Sequence, residues 1–339
     1  VLQSSIETHQ KYITLQSYDG SFSPHFVIVS NRLTDDERDA VILAGNQRVL
    51  RARLADAEFF WVEDGSVPFS DFLLRLNNIA FYEGLGTMYD KALRLEKLAA
   101  DIAAAIPGAN GAIASRAGLL AKGDLVTGMV GEFPELQGIM GGYYAKGAGE
   151  DAATAEAIAA HYRPEGPDDS LPATAEGLAV ALADKIDTLV GLFGVGARPT
   201  GSKDPFALRR AALGVIRILT EANISLSLHG ILHNAAGYHG FTTINDELLP
   251  FIRERLRVSL RDTGIAHDVV AAVLGDGELD DICLLAERAD ALSTFLGSEN
   301  GSGLMACWRR ATSILKFEEN KDKKAFASVT DPSLFVKTA

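Results

Sequence analysis

The 339-residue sequence predicts a mainly α-helical protein with a small β remnant at its N-terminus. Three observations carry that expectation. Apolar residues recur at helical spacing over almost everything after Val67. Runs rich in β-branched and aromatic residues are confined to the first 30 positions. Capping residues and Pro/Gly breaks fall between the periodic segments rather than inside them. A hydrophobic content of 47% supports real cores, and the length fits about two domains.

Taken in order, HQKYITLQ (9–16) and HFVIVS (25–30) read as strands, separated by the turn-forming SYDGSFSP. Thr34, Asp35, Asp36 and Glu37 supply a cap and first-turn acids for a long helix through AVILAGNQRVLRARLADAEFFW (40–61). Val49, Leu50, Leu54, Ala57 and Trp61 form its predicted buried stripe, and Gly45 weakens it. Phe72, Leu73, Leu76, Ile79 and Ala80 make a second stripe. Tyr89, Leu93, Glu96, Leu98 and Ala99 lie in a third helical segment, which Pro107–Gly111 stops. Helices follow over 112–130, 151–161 and 174–193. Asp204 caps a helix opening at Pro205. That helix is expected to bury Leu208, Ala211, Ala212, Val215 and Leu219, with Arg210 and Arg217 sharing its exposed face. Helices over 247–265, 267–275, 280–296 and 304–317 complete the chain, the last burying Leu304, Cys307, Ala311 and Leu315. The polar tail 319–339 is expected to be mobile. The start at Val1, within strand-like sequence, reads as an internal piece of a longer protein.

The net charge of −13 opposes indiscriminate RNA binding. Between Thr200 and Arg261, however, eight basic residues face five acidic ones, so an RNA surface is expected in the C-terminal half. Cys283 and Cys307 both read as reduced core residues. No signal peptide is visible and no apolar run approaches the roughly 18 residues that span a bilayer, so a cytoplasmic protein without membrane contact is expected. Gly196 to Lys203 resembles a phosphate-binding loop but has Ser202 before Lys203, which misplaces both the amine and the hydroxyl. His229, His233 and His239 lack the accompanying residues of a zinc site. His267-Asp268 is best read as a helix start.

Two strings go further. EFPELQGIMGGYYA (132–145) and ALADKIDTLVGLFGVGARPTGSKDPFALRRAALGVIRIL (181–219) together resemble the beta subunit of the bacterial heterotetrameric glycyl-tRNA synthetase. The chain is similar to an internal and C-terminal fragment of that family. RERLRVSLRDTGIAHDVVAAVL (253–274) resembles the family's helical anticodon-binding domain. The resemblance implies that residues 1–65 end an N-terminal α/β domain and that 66–222 form a multi-helical HD-like domain. Residues 223–339 would be a linker and a truncated, partial anticodon-binding-like domain. It implies a non-catalytic, tRNA-binding and scaffolding role in glycine–tRNA ligase. The partners would be the alpha subunit and glycine tRNA, with no DNA. The holoenzyme's ATP and Mg would be used in the alpha subunit and no cofactor bound by this chain. Active HD proteins surround a divalent metal with His, a His-Asp pair and a further Asp. Here no His lies between His25 and His161. Asp124, Asp184 and Asp187 are therefore expected to be vestigial acids with a structural role, with no catalytic residue and no metal site. Arg209, Arg210, Arg309, Arg310 and Lys316 are the candidate tRNA contacts. Two other readings stay open: an HD-type metal-dependent phosphohydrolase, and a purely structural helical assembly module.

Overall fold

The computed structural model describes residues 6–7, 10–31, 36–201, 203–275 and 280–326. The expected cap at Thr34 and Asp35, the mobile tail beyond Phe326 and Ser202 lie outside the described residues. The protein is mainly helical, as its periodicity predicts. It forms two compact units, Val1–Ser259 with Gly277–Cys283, and Leu260–Asp276 with Leu284–Ala339.

In the first unit, strands β1 (Ile13–Gln16) and β2 (Phe22–Val27) pair antiparallel, Ile13 opposite Val27. The Asp19 carboxylate closes their turn by accepting from the Ser21 N–H and hydroxyl at 3.0 and 2.6 Å. Pro24 is tolerated because a two-stranded ribbon leaves one edge of β2 unpaired. Ile6, Tyr12 and Leu50 form a small core under this ribbon, with Phe26, Ile28 and Leu54 packed against it. Leu50 belongs to helix α1 (Asp36–Gly65). The predicted α1 stripe is only partly buried: Leu50 and Ala57 are inside, whereas Val49 and Trp61 are exposed. The helix rests on its neighbours along a narrow strip rather than a full face.

Helix α2 (Phe69–Arg75) buries Phe72 and Leu73, and Leu76 follows them inward. Ala80 departs from the predicted helical stripe and is exposed, because the chain there forms a second ribbon, β3 (Ala80–Tyr82) with β4 (Gly86–Thr87). Strands of two or three residues leave no periodicity to read; their signal is Gly84 and Gly86, both at positive φ. A capping box between Thr87 and Asp90 then opens α3 (Met88–Ala103), and Asn110 caps α4 (Gly111–Leu120). Short helix α5 (Gly128–Glu132), α6 (Ile139–Gly147) and α7 (Ala152–Ala160) lead to α8 (Ala175–Gly194). Helix α8 is apolar almost all round and buried along nearly its whole length, as such a helix must be. It packs on α3, α4, α7, α9 (Leu208–Glu221) and α10 (Leu228–Tyr238).

Helix α9 begins at Leu208, not at Pro205. Asp204 does cap it, its two carboxylate oxygens accepting from the N–H groups of Leu208 and Arg209 at 2.9 Å each. It does so across a turn in which Ala207 is left-handed, at φ 53°. Leu208, Ala212, Val215 and Leu219 are buried as expected, with Ala211 half-buried. Arg217 does not share an open face with Arg210. It is half-buried, donating to the carbonyls of Gly166 and Asp169 at 2.7 and 3.0 Å and pairing with Glu221. It thereby pins the loop that precedes α8.

Helix α11 (Leu248–Asp262) runs from the first unit into the second, which holds α12 (His267–Leu274), most of α13 (Ile282–Gly297) and α14 (Glu299–Asp322). Val269, Val270, Leu274, Leu285 and Ala289 are buried there. Helix α14 overturns its predicted stripe: Leu304, Cys307, Ala311 and Leu315 are all exposed. Among the described residues only Gly301 of this helix is buried, against the backbone of Phe295 and Leu296 of α13. Cys283 is buried as expected, its thiol 3.1 Å from Asn223 Oδ1, whereas Cys307 is exposed. Among the described residues no helix is long and apolar enough to cross a membrane.

Candidate functional site

The acids singled out in α8 sit at the centre of a buried ion network. Asp184 and Asp187 are one turn apart and face α3, which presents Lys91 and Arg94 at the same spacing. Lys91 Nζ lies 3.0 Å from Asp184 Oδ1 and 3.0 Å from Asp187 Oδ2, and donates to the Thr188 hydroxyl at 2.8 Å. Arg94 Nε donates to Asp187 Oδ1 at 2.7 Å. Lys122, from the link after α4, reaches Asp184 Oδ2 at 3.0 Å and His161 Nε2 at 2.8 Å. His239, just past α10, brings Nε2 to 2.9 Å from Asp187 Oδ1. Each carboxylate oxygen of the pair thus lies close to a cationic or N–H partner, although Asp184 Oδ1 meets Lys91 as an ion pair without a hydrogen bond.

Charge states follow from this geometry. Burial alone would push both carboxyls up. Lys122 and Lys91 outweigh it at Asp184, and Lys91, His239 and Arg94 do so at Asp187, holding both well below the ordinary carboxylate range. Burial pulls Lys122 down, opposed by Asp184. His161 is pushed down to about 3, first by burial and then by the Lys122 ammonium. It is a neutral imidazole: Nδ1–H donates to the Ile158 carbonyl at 2.6 Å while Nε2 accepts from Lys122. The Tyr162 ring lies 3.8 Å from Lys122 Nζ and covers the same ammonium.

Asp124 stands apart from this network. Its Oδ2 accepts from the N–H groups of Gly138 and Gly141 at 2.6 and 2.8 Å, bracing the turn into α6. Oδ1 is buried without a hydrogen-bond partner. Burial raises this carboxyl to about 6, against the two N–H bonds that lower it. The structure therefore does not join all three predicted acids in one centre. Two are neutralised by lysine and arginine, and the third holds a backbone turn.

A divalent cation needs free carboxylate and imidazole lone pairs. Here the Lys91 ammonium bridges Asp184 and Asp187, Lys122 and Arg94 take further oxygens of the pair, and both nitrogens of His161 are engaged. The residues present do not fit a metal centre. Their arrangement ties α3, the α4–α5 link, the end of α7 and α8 to one another. His239 belongs to this network, while His229 and His233 are exposed, so the three nearby histidines do not converge. Asp268 is a first-turn acid of α12 whose carboxylate accepts from the Val269 N–H.

Of the residues proposed to meet tRNA, Arg209 is half-buried and donates to the Gly201 carbonyl, whereas Arg210 is exposed. Both belong to the first unit. Arg309, Arg310 and Lys316 belong to the second and are exposed on α14, with Arg309 and Lys316 two turns apart on one face.

Sequence reasoning missed Lys91, Arg94, Lys122, His161 and His239. One signal was available. Lys91 and Arg94 interrupt the apolar run of α3 beside Ala92, Leu95 and Leu98, at the i, i+3 spacing of Asp184 and Asp187. Cations inside a buried stripe call for acids opposite them. Nothing local marks His161, and His239 reads only as one of three nearby histidines.

Comparison with known proteins places the sequence among its relatives. A model of the family described as "Glycyl-tRNA synthetase beta subunit" matches residues 1–275. A "Glycine--tRNA ligase beta subunit" of Rhodospirillum centenum (strain ATCC 51521 / SW) is 48% identical over 332 residues, covering 96% of this chain and 46% of that protein. Its namesake in Phenylobacterium zucineum (strain HLK1) is 46% identical over 324 residues, covering 95% and 46%. That of Cereibacter sphaeroides (strain ATCC 17029 / ATH 2.4.9) is 45% identical over 343 residues, covering 98% and 49%. The chain spans about half the length of the curated relatives it matches.

Proposed function

Since the chain belongs to the glycyl-tRNA synthetase beta-subunit family, we propose that it is the tRNA-binding and scaffolding part of a cytoplasmic glycine–tRNA ligase. In this reading the alpha subunit activates glycine with ATP and Mg and transfers it to the tRNA, and this chain contributes no catalytic residue. The family match carries the proposal. The neutralised acids of α8 agree with it, because carboxylates tied to Lys91, Arg94 and Lys122 are unavailable for acid–base or metal chemistry. Nothing in their geometry favours a metal-dependent phosphohydrolase. Residues 66–222 would then be an HD-like domain whose metal position has been taken over by lysine. Arg309, Arg310 and Lys316 on α14, with Arg209 and Arg210 on α9, are the proposed tRNA contacts. Residues from 223 onward would begin an anticodon-binding domain.

The test is charging of glycine tRNA by the alpha subunit, with and without the full-length polypeptide. Strong dependence on the added chain is expected. Equal charging by the alpha subunit alone would refute the proposal.

A further inference from the structure

Helix α1 ends on Phe59-Phe60-Trp61-Val62, four large apolar residues in succession. At about 100° per residue such a run points all round the helix, so one packed face cannot cover it. Only Phe60 is turned inward, against Gly128 at the start of α5, where a Cβ would sit 2.2 Å from the ring. Phe59, Trp61 and Val62 are left 61%, 46% and 67% exposed.

These side chains border two adjoining grooves that share Val62 and Ser66. One, of about 570 Å³, runs between Trp61 and the aromatic residues Phe69, Phe72, Tyr143 and Tyr144. The other, of about 590 Å³, lies beside Phe59 and is edged by Glu58 and Glu63. The aromatic wall is held rigidly. Trp61 stacks on Tyr144 at 5.6 Å and meets Tyr143 edge-on at 6.3 Å. The Tyr144 hydroxyl donates to Asp64 at 2.8 Å, and Asp64 also accepts from the N–H groups of Gly128 and Met129 at 2.9 Å each. Preorganised aromatic anchors around an apolar centre with a charged rim are the anatomy of a protein-binding hot spot.

The rim decides the occupant. Among the described residues no lysine or arginine lines either groove; the second is edged by the exposed Glu58 and Glu63, whereas the charged residue of the first, Asp64, is buried and engaged by Tyr144 and two backbone N–H groups. Phosphate-rich RNA is repelled by such a border. A second copy docking the same face on itself would set like carboxylates against each other. The complementary partner is a protein segment with apolar anchors flanked by Lys or Arg. The geometry points to this surface, centred on Trp61 and Val62, as the docking site for a basic, apolar segment of the alpha subunit. This inference rests on the beta-subunit reading above.

A photo-crosslinking residue, p-benzoylphenylalanine, placed at exposed Val62 of the full-length polypeptide tests it in the complex with the alpha subunit. The expected product on illumination is a covalent link to the alpha subunit, at a peptide carrying Lys or Arg beside apolar residues. Glu58→Lys/Glu63→Lys should in parallel raise the Kd for the alpha subunit about tenfold and flatten its salt dependence. Crosslinks to the same chain, to a second copy or to tRNA, or none, in a complex that assembles and charges tRNA, would overturn the docking site alone. Failure of the unsubstituted chain to assemble with the alpha subunit would overturn both this site and the beta-subunit reading.

Discussion

At the scale of single residues, the fate of Asp187 shows how buried charge is made tolerable. Its carboxylate is almost fully enclosed, and Lys91, Arg94 and His239 each supply a donor. Removing one member strands the others in a low-dielectric interior, which costs more than the pair contributes when whole. Asp187→Ala should therefore destabilise the fold by about 3–5 kcal/mol in chemical denaturation. A loss below about 1 kcal/mol would mean that water or rearrangement replaces the lost acid. Asp124 makes the opposite case. Its folded-state value of about 6 lies above the ordinary 3.8, so the fold favours its protonated form. Its contribution is fully present below about pH 4 and is lost as pH rises through about 6, a change of roughly 3 kcal/mol. Asp184, Asp187 and His161 are shifted downward, and their contributions are lost as pH falls. Asp124→Asn separates the two trends. The variant should gain stability relative to the parent chain at pH 7, and the gain should vanish near pH 4. A difference independent of pH would show that Asp124 does not titrate in this window.

At the scale of elements, close helix contact depends on what is missing from side chains. A Cβ on Gly118 would sit 2.6 Å from the Leu95 carbonyl oxygen and 3.2 Å from the Ala99 methyl. Helices α3 and α4 therefore approach nearer than any other residue would allow. Gly118→Ala should cost about 1–3 kcal/mol by overpacking, read as a lowered Tm. An unchanged Tm would show that α4 can slide without loss. Much of this level was legible beforehand. Helices α3, α8 and α9 announce themselves by period, and α9 also by its cap at Asp204. The misses share one cause. Whether Trp61 or Leu315 is covered depends on elements far away in sequence, and helical period marks an apolar side without naming what lies against it. The ribbon at Ala80–Thr87 was too short to show a period.

At the scale of the whole chain, the net charge of −13 belongs to these 339 residues. In the proposed reading, their share of tRNA binding would rest on a few local cations rather than on a general field. If Arg309, Arg310 and Lys316 supply three phosphate contacts, affinity of the full-length polypeptide for glycine tRNA should fall roughly 20–40-fold between 50 and 200 mM salt. Arg309→Ala/Arg310→Ala should weaken binding and lower the log–log salt slope by about 1–2. Unchanged affinity and slope would remove α14 from the RNA surface.

The sequence by itself determined the helical class, most helix starts and stops and the family, because period, capping and two long motifs are local properties of the chain. It also singled out Asp184 and Asp187. Only the tertiary structure decided what those acids do. Their partners, Lys91, Arg94, Lys122 and His239, and His161 behind Lys122, lie tens of residues away in the chain. Burial converts groups that would be separately hydrated in an unfolded chain into one ion network. That conversion depends on which helices meet, which no spacing within a single segment records.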